Sequence, residues 1–220
     1  MKKGLLFTGI FLGTIFFLLI VCRVLGIINL YNAPTSSNEP TIKLGDTFFA
    51  SSLKKAEVGD FIIYKCEYGS CFFRLVGVEN DTLEIRDGVL FRNGINFDKD
   101  YNLQHNYLID IEEIKKLPEN EKDYFSQKAY PILFNNKYLT TSAEDSIMYK
   151  AKFPFKRKLD SIPDKFIVET FGKNWNKDNF GPIIIPANKV FVMGDNRDNA
   201  MDSRYIGLID KRDIKATIID

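Results

Sequence analysis

A single histidine, His105, stands in a chain of 220 residues, so Ser-His-Asp or Cys-His chemistry would have one candidate base. Three cysteines beside that histidine are too few for a zinc ribbon or a His-rich metal site, and neither metal nor cofactor is expected. Two polar stretches stand out instead. PTSSNEPT (34–41) gathers hydroxyls, and GDNRDNAMDSRYIG (194–207) gathers carboxylates and arginines. Taken alone, such stretches read as turns rich in Asx caps and surface ion pairs. The overall charge is balanced, with 30 Lys+Arg against 29 Asp+Glu, which argues against a nucleic-acid partner.

The elements that would position these residues begin with an apolar run. Residues 4–22, GLLFTGIFLGTIFFLLIVC, carry no charge. At 1.5 Å rise per residue this run spans roughly 28 Å, about the hydrocarbon thickness of a bilayer. The run is longer than the apolar stretch of a cleaved leader, no small-x-small site follows it, and Val21 before Cys22 is too bulky for a lipoprotein site. We read residues 1–25 as an uncleaved transmembrane anchor. Lys2 and Lys3 place the N-terminus in the cytoplasm and the rest outside the inner (cytoplasmic) membrane, although Arg23 weakens the bias. In that oxidising compartment Cys66 and Cys71, flanking EYGS, can pair across a hairpin turn; the alternative is two free thiols.

Short strands follow: 47–51, 60–66, 71–78, 82–86 and 89–92, with Asp87-Gly88 and Asn93-Gly94 as turn dipeptides. The β pattern resumes at 182–186, 189–193 and the C-terminus. Residues 95–181 are more polar, with a helical candidate at 110–128 interrupted by Pro118, and read as an inserted, variable subdomain. The chain is therefore divided into the anchor, a β domain from 30–94 and 182–220, and the insertion at 95–181.

Four segments in order resemble the type I signal peptidases, membrane-anchored serine endopeptidases that remove signal peptides from exported proteins. They are PTSSNEPTIKLGD (34–46), VGDFIIY (58–64), FRLVGVENDTLEIRDGVLFRNG (73–94) and GDNRDNAMDSRYIG (194–207). The resemblance implies a mainly β fold: a signal-peptidase-like β-sheet domain with an inserted α+β subdomain behind one transmembrane helix. It also implies signal peptides of preproteins as partners, beside membrane lipid and a possible membrane protein complex.

The same resemblance assigns roles. Ser37, three residues before Pro40, takes the nucleophile position, and its backbone N–H an oxyanion donor position. The Thr35 hydroxyl is the second oxyanion donor, a contribution worth about 2.7–4 kcal/mol in comparable sites. Asp202 and Arg204 are expected to pair and brace the nucleophile loop, and Asp195 and Asn196 to cap its turn. A serine hydroxyl needs a base to take its proton. In bacterial members that base is a lysine preceding the arginine of the Arg-x-x-Gly strand, but here Phe73 precedes Arg74. Where many members carry a serine that bonds the lysine, this chain has Ala200, and where methionine is usual it has Asn38. Two residues, Lys65 and His105, are candidate substitutes for the base. Lys65 in the partner strand would need a one-residue register slip, because with Cys66 opposite Cys71 and Phe73 facing Tyr64 it points to the other face. His105 lies in the insertion. The expected function is signal-peptide binding with weak, rewired or absent cleavage; the alternative is a catalytically silent subunit of a membrane complex.

Overall fold

In the computed structural model, the described residues are all but Met1, Tyr68, 124–131, Asn136, Lys152, Phe153 and Asp220, with the side chains of residues 2–6, 18, 19 and 22 also excluded. The chain begins with helix α1 (Lys2–Val24). Its longest stretch of described side chains is 7–17, and among the described residues no helix is long and apolar enough to cross a membrane. Three sheets follow.

The first sheet carries the site. It contains β1 (Ile28–Asn32), β2 (Thr47–Ser51), β3 (Phe61–Cys66) and β4 (Gly69–Val78). The second begins with β5 (Thr82–Arg86), β6 (Val89–Arg92) and β7 (Ile95–Asn96). The third consists of β8 (Gln104–Asp110), β9 (Ile132–Leu133), β10 (Tyr138–Glu144) and β11 (Phe155–Arg157). The chain then returns: β12 (Phe180–Ile184) joins the second sheet, while β13 (Lys189–Met193), β14 (Ile209–Asp210) and β15 (Ile214–Ile219) join the first. The first sheet runs β1-β2-β15-β3-β4-β13-β14, so strands distant in sequence lie side by side, and β4 is flanked by β3 and β13.

Local sequence explains the hairpins. Asp87 and Gly88 both have positive φ (49° and 75°), as do Asn93 and Gly94 (53° and 78°). That backbone conformation suits two-residue turns in tight hairpins, so β5, β6 and β7 form a meander. The helical candidate at 110–128 is broken as Pro118 requires: α2 (Ile111–Lys115) stops before it, residues 119–123 are helical again, and residues 124–128 lie outside the described residues.

The β3–β4 hairpin differs from the expected register. Cys66 lies opposite Gly69, Tyr64 opposite Cys71 and Ile62 opposite Phe73. Gly69 adopts φ +103°, which lets β4 start two residues earlier than expected and tightens the turn. A shift of two residues preserves the faces, so Lys65 still points away from Phe73 and is exposed. Cys66 and Cys71 are joined by a disulfide between diagonal neighbours, with Cα atoms 5.8 Å apart.

The two faces of the first sheet are packed by different clusters. Phe61, Ile63, Ala216 and Ile218 pack with Ala33, Ile42 and Ala50. On the opposite face Ile62, Tyr64, Phe73, Leu75, Val190, Val192 and Ala200 form one cluster, with the disulfide at its edge. A third core joins Val76, Phe191 and Met193 to the second sheet, and includes Ile167 of helix α4 (Lys165–Phe171). Residues 165–171 thus pack into the main core, whereas β8–β11 and helix α3 (Asp145–Met148) enclose a small core of their own.

Candidate active site

Ser37 sits on a loop that is held from beneath by the signature segment 194–207. The Asn196 N–H donates to the Ser37 carbonyl at 3.1 Å, and the Asn196 side-chain amide to the Ser36 carbonyl at 3.1 Å. Asn199 donates to Ser36 Oγ at 2.9 Å. From the other side Asn38, only 1% exposed, donates to the Phe72 carbonyl at 2.9 Å, where β13 has ended and β4 would otherwise leave that oxygen bare. Asn38 is therefore a strap between the loop and the sheet. The Glu39–Pro40 peptide in the same loop is cis.

Gly194 lies against the loop and against Phe73 and Ala200 at once. A β-carbon built on it would stand 2.4 Å from the Ser37 carbonyl oxygen, 2.5 Å from the Ala200 β-carbon and 3.2 Å from Phe73 Cε1. Ser37, Phe73 and Ala200 thus converge on one glycine. Phe73 and Ala200 are 8% and 7% exposed, within the same apolar cluster as Ile62 and Tyr64. Tyr64 has its phenol raised by burial and by nearby Asp202, and so remains a neutral hydroxyl.

Ser37 Oγ has a single hydrogen-bond partner among the described residues, the Thr35 hydroxyl at 3.2 Å. The Ser37 N–H makes no hydrogen bond among the described residues and is free to meet an incoming carbonyl oxygen. One donor for an oxyanion, the Ser37 N–H, is therefore available, and among the described residues no lysine, histidine or carboxylate bonds the serine.

The expected supporting residues are all close to this loop, in part with different contacts. Arg204 bonds Asp202 through Nε and Nη2, at 2.9 and 2.8 Å. Asp202 also accepts the Gly194 N–H at 3.0 Å, which fixes the glycine that touches Ser37. The expectation that Asp195 caps the turn is corrected: its carboxylate takes the Arg74 guanidinium through Nε and Nη2 and the Thr41 hydroxyl as well. A buried guanidinium demands such a partner, and Asp195 is the carboxylate within reach. Arg74 lies between the rings of Phe61 and Tyr101, 4.3 Å from each centroid, so the pair is shielded from water on both sides. Asn196 does both: its carbonyl accepts the Asn199 N–H at 3.0 Å and closes the turn, while its N–H and side-chain amide strap the Ser37 loop.

Sequence reasoning missed three members of this frame. Asn199 carries no special signal in a polar run. Arg197 makes a two-pronged bond to Asp98, at 2.8 and 2.6 Å, tying the signature to the end of the β5–β7 meander. Lys177 bonds Asp178 at 2.7 Å and also engages Asp198. Burial would lower the Lys177 pKa, but Asp198 and Asp178 outweigh it and hold the amine charged well above the ordinary lysine range. This lysine is therefore a charged clasp between Asp178 and Asp198. Arg74 was legible in principle, since one arginine within the apolar FFRLVGV strand requires a buried partner.

His105 is buried in the third sheet. Its Nδ1 lies 2.7 Å from Asp145, which also accepts from Tyr107 and, at 3.1 Å, from Arg157. Burial favours the neutral acid, but the bond to His105 leads the interactions that hold the Asp145 carboxyl below its usual range. The histidine ring is thus committed to Asp145 and makes no contact with Ser37.

Residues 6–219 match the family model described as "Signal peptidase, peptidase S26". The chain belongs to the signal peptidase family. Among curated relatives, signal peptidase I P of Bacillus subtilis subsp. natto is 28% identical over 191 residues, covering 84% of this chain and 71% of the relative. Signal peptidase I of Aquifex aeolicus (strain VF5) is 26% identical over 199 residues, covering 84% and 72%. A solved signal peptidase I from Enterococcus faecalis V583 aligns with a TM-score of 0.39 at 18% identity, over 76% of this chain and all of that one. In this member of the family, Asn196 and Asn199 hold the Ser37 loop, and the two side chains beside Gly194, Phe73 and Ala200, are apolar.

Proposed function

We propose that this signal peptidase relative binds the signal-peptide region of exported preproteins and does not cleave it by serine–base chemistry. One observation carries the reading: Phe73 and Ala200 lie against the Gly194 that touches the Ser37 carbonyl, and among the described residues the serine hydroxyl meets only Thr35. A carbonyl arriving at the site would find the Ser37 N–H and hydroxyl as donors. Among the described residues no group is placed to remove the hydroxyl proton, so binding and attack are uncoupled.

In this reading α1 anchors the chain in the cytoplasmic membrane, N-terminus inside, and the β domain works at the outer face among lipid and signal peptides. Protease added outside should then degrade the 30–220 portion, and full protection in spheroplasts would reverse the orientation. A role as a silent subunit of a membrane complex uses the same uncoupled site. Residual cleavage is the rival reading, favoured by the retained Thr35–Ser37 contact.

The deciding experiment incubates purified full-length protein in detergent with a preprotein, beside its Ser37→Ala variant. Binding without cleavage in both proteins is expected. Cleavage by the parent that vanishes with Ser37→Ala would overturn the proposal.

A further inference from the structure

The β3–β4 hairpin extends past the strands that flank it. β15 pairs with β3 over residues 62–64, and β13 pairs with β4 over residues 74–78. Beyond those points Lys65 and Cys66 pair only with Ser70 and Gly69, and residues 71–73 lie on an edge of β4 that no strand covers. A ribbon of two strands is at best marginally stable in water.

Two restraints act on the tip of this ribbon. The Lys215 ammonium donates to the Gly69 carbonyl at 3.1 Å and to Ser70 Oγ at 2.9 Å, but both bonds are exposed. Exposed polar contacts of this kind are individually weak. The covalent restraint is the Cys66–Cys71 disulfide. Both cysteines are half-buried at the edge of the cluster that contains Tyr64 and Phe73, so a small thiol in solvent can reach them.

The ribbon is joined to the Ser37 loop through one side chain. Phe72, which follows Cys71, accepts the Asn38 amide at 2.9 Å, and Asn38 follows Ser37. This is the one hydrogen bond that the Asn38 side chain makes among the described residues, because its Oδ1 has no partner. Asn38 is buried, so a shift of Phe72 would leave the amide wholly unpaired, which a buried polar group resists. The Asn38 carbonyl accepts the Ile42 N–H at 2.9 Å, so movement of Asn38 passes into the turn. The Phe72 ring also rests against Phe48, with 5.0 Å between centroids, so release of the ribbon would loosen the turn without dismantling it.

We propose that the Cys66–Cys71 disulfide is a redox latch on the Ser37 loop. In closing, the two thiols pass two electrons and two protons to the disulfide of an exchange partner, which leaves as a dithiol; a dithiol reductant reverses the exchange. The closed latch fixes Phe72, and Phe72 fixes Asn38 and the turn beside it. The loop is then fully ordered only where disulfides form. Its consequence for peptide binding rests on the reading above.

The test follows amide exchange in the full-length protein in detergent, before and after dithiothreitol, with alkylation and mass spectrometry reporting the state of both thiols. The probes are the bonded amides of the loop: Glu39, Ile42 and Asn196, which donate to Ser36, Asn38 and Ser37. Reduction should speed their exchange about three- to tenfold, leave β10 unchanged, and be reversed by reoxidation. The Cys66→Ala/Cys71→Ala variant should show the fast rates with or without reductant. Unchanged loop exchange in protein shown to be reduced would overturn the latch, as would equal acceleration in β10, which would signal general loosening. A fluorescent small-x-small peptide should bind the reduced form about three- to tenfold more weakly, since fewer molecules are binding-competent. Equal binding by both forms would overturn the latch and leave the site reading standing. If exchange responds to reduction and neither form binds the peptide, the latch stands and the site reading fails.

Discussion

Gly194 and Ser37 are in such close contact that the glycine has no room for a side chain: a β-carbon would stand 2.4 Å from the Ser37 carbonyl oxygen. The obstacle is backbone on one side and the Ala200 β-carbon on the other, neither of which can swing aside as a long side chain would. Gly194→Ala should therefore push the Ser37 loop off its straps from Asn196 and Asn38. Overpacking of this kind costs about 1–3 kcal/mol. A lowered denaturation midpoint, with faster amide exchange confined to residues 35–42, is the expected outcome; an unchanged midpoint would mean the loop yields freely.

Asp195→Ala should be costlier than its position in a loop suggests. It would leave the Arg74 guanidinium, 9% exposed in its side chain, without its carboxylate. Removing one member of a buried pair typically costs about 3–5 kcal/mol. Asp195→Asn should cost less, because the amide oxygen can still accept one guanidinium bond. Urea unfolding of the two variants beside the parent gives the ordering.

Strands β2 to β6 were legible because hydrophobic runs were bounded by Gly45-Asp46 and Gly59-Asp60 in the first sheet and by Asp87-Gly88 and Asn93-Gly94 in the second, and turn chemistry is local, whereas β1 lay in what read as a link. The face occupied by Phe73 was legible too, because an error of two residues in the hairpin register leaves every side chain on its original side. Non-local partners were not legible. Asp195 lies 121 residues from Arg74, and Lys177 reaches Asp198 from within the polar stretch 95–181. Nothing in the spacing of either charge announces which opposite charge the fold will supply. Charge-dense loops invite a reading as solvated surface, and here burial of 195–197 reverses it.

Acid should loosen the third sheet before the first. Asp145 has a depressed carboxyl pKa, so the unfolded chain binds its proton more readily than the folded one. Its stabilising contribution is then complete above the unfolded value near ~3.9 and is lost as pH falls from there through the folded value. Asp145→Asn should be less stable than the parent at neutral pH, with the gap narrowing below pH ~4. Denaturation midpoints measured from pH 3 to 6 check this, and a gap that widens on acidification would contradict the sign.

The sharpest prediction concerns the base position. Thr35 bonds Ser37, Arg204 bonds Asp202, and Asp202 holds the Gly194 that lies against Ser37; suppose that Phe73 and Ala200 are the only lesions in this frame. Phe73→Lys with Ala200→Ser should therefore create Ser37-dependent cleavage of a signal peptide. Loss of a base in comparable serine sites costs on the order of 10⁴–10⁶ in rate, so the gain can be large. Phe73→Lys alone should gain less, because a buried amine without the serine hydroxyl is poorly oriented and costs stability. The surrounding cluster of Ile62, Tyr64, Leu75 and Val192 is apolar and should lower the new lysine's pKa, favouring the neutral form that can accept a proton. Cleavage by the double variant should accordingly rise with pH until that lysine is deprotonated and then level off. It should be absent when Ser37→Ala is added. A double variant that folds, binds peptide and still does not cleave would place the defect beyond the base, with Asn38, which stands where methionine is usual, as the next residue to exchange.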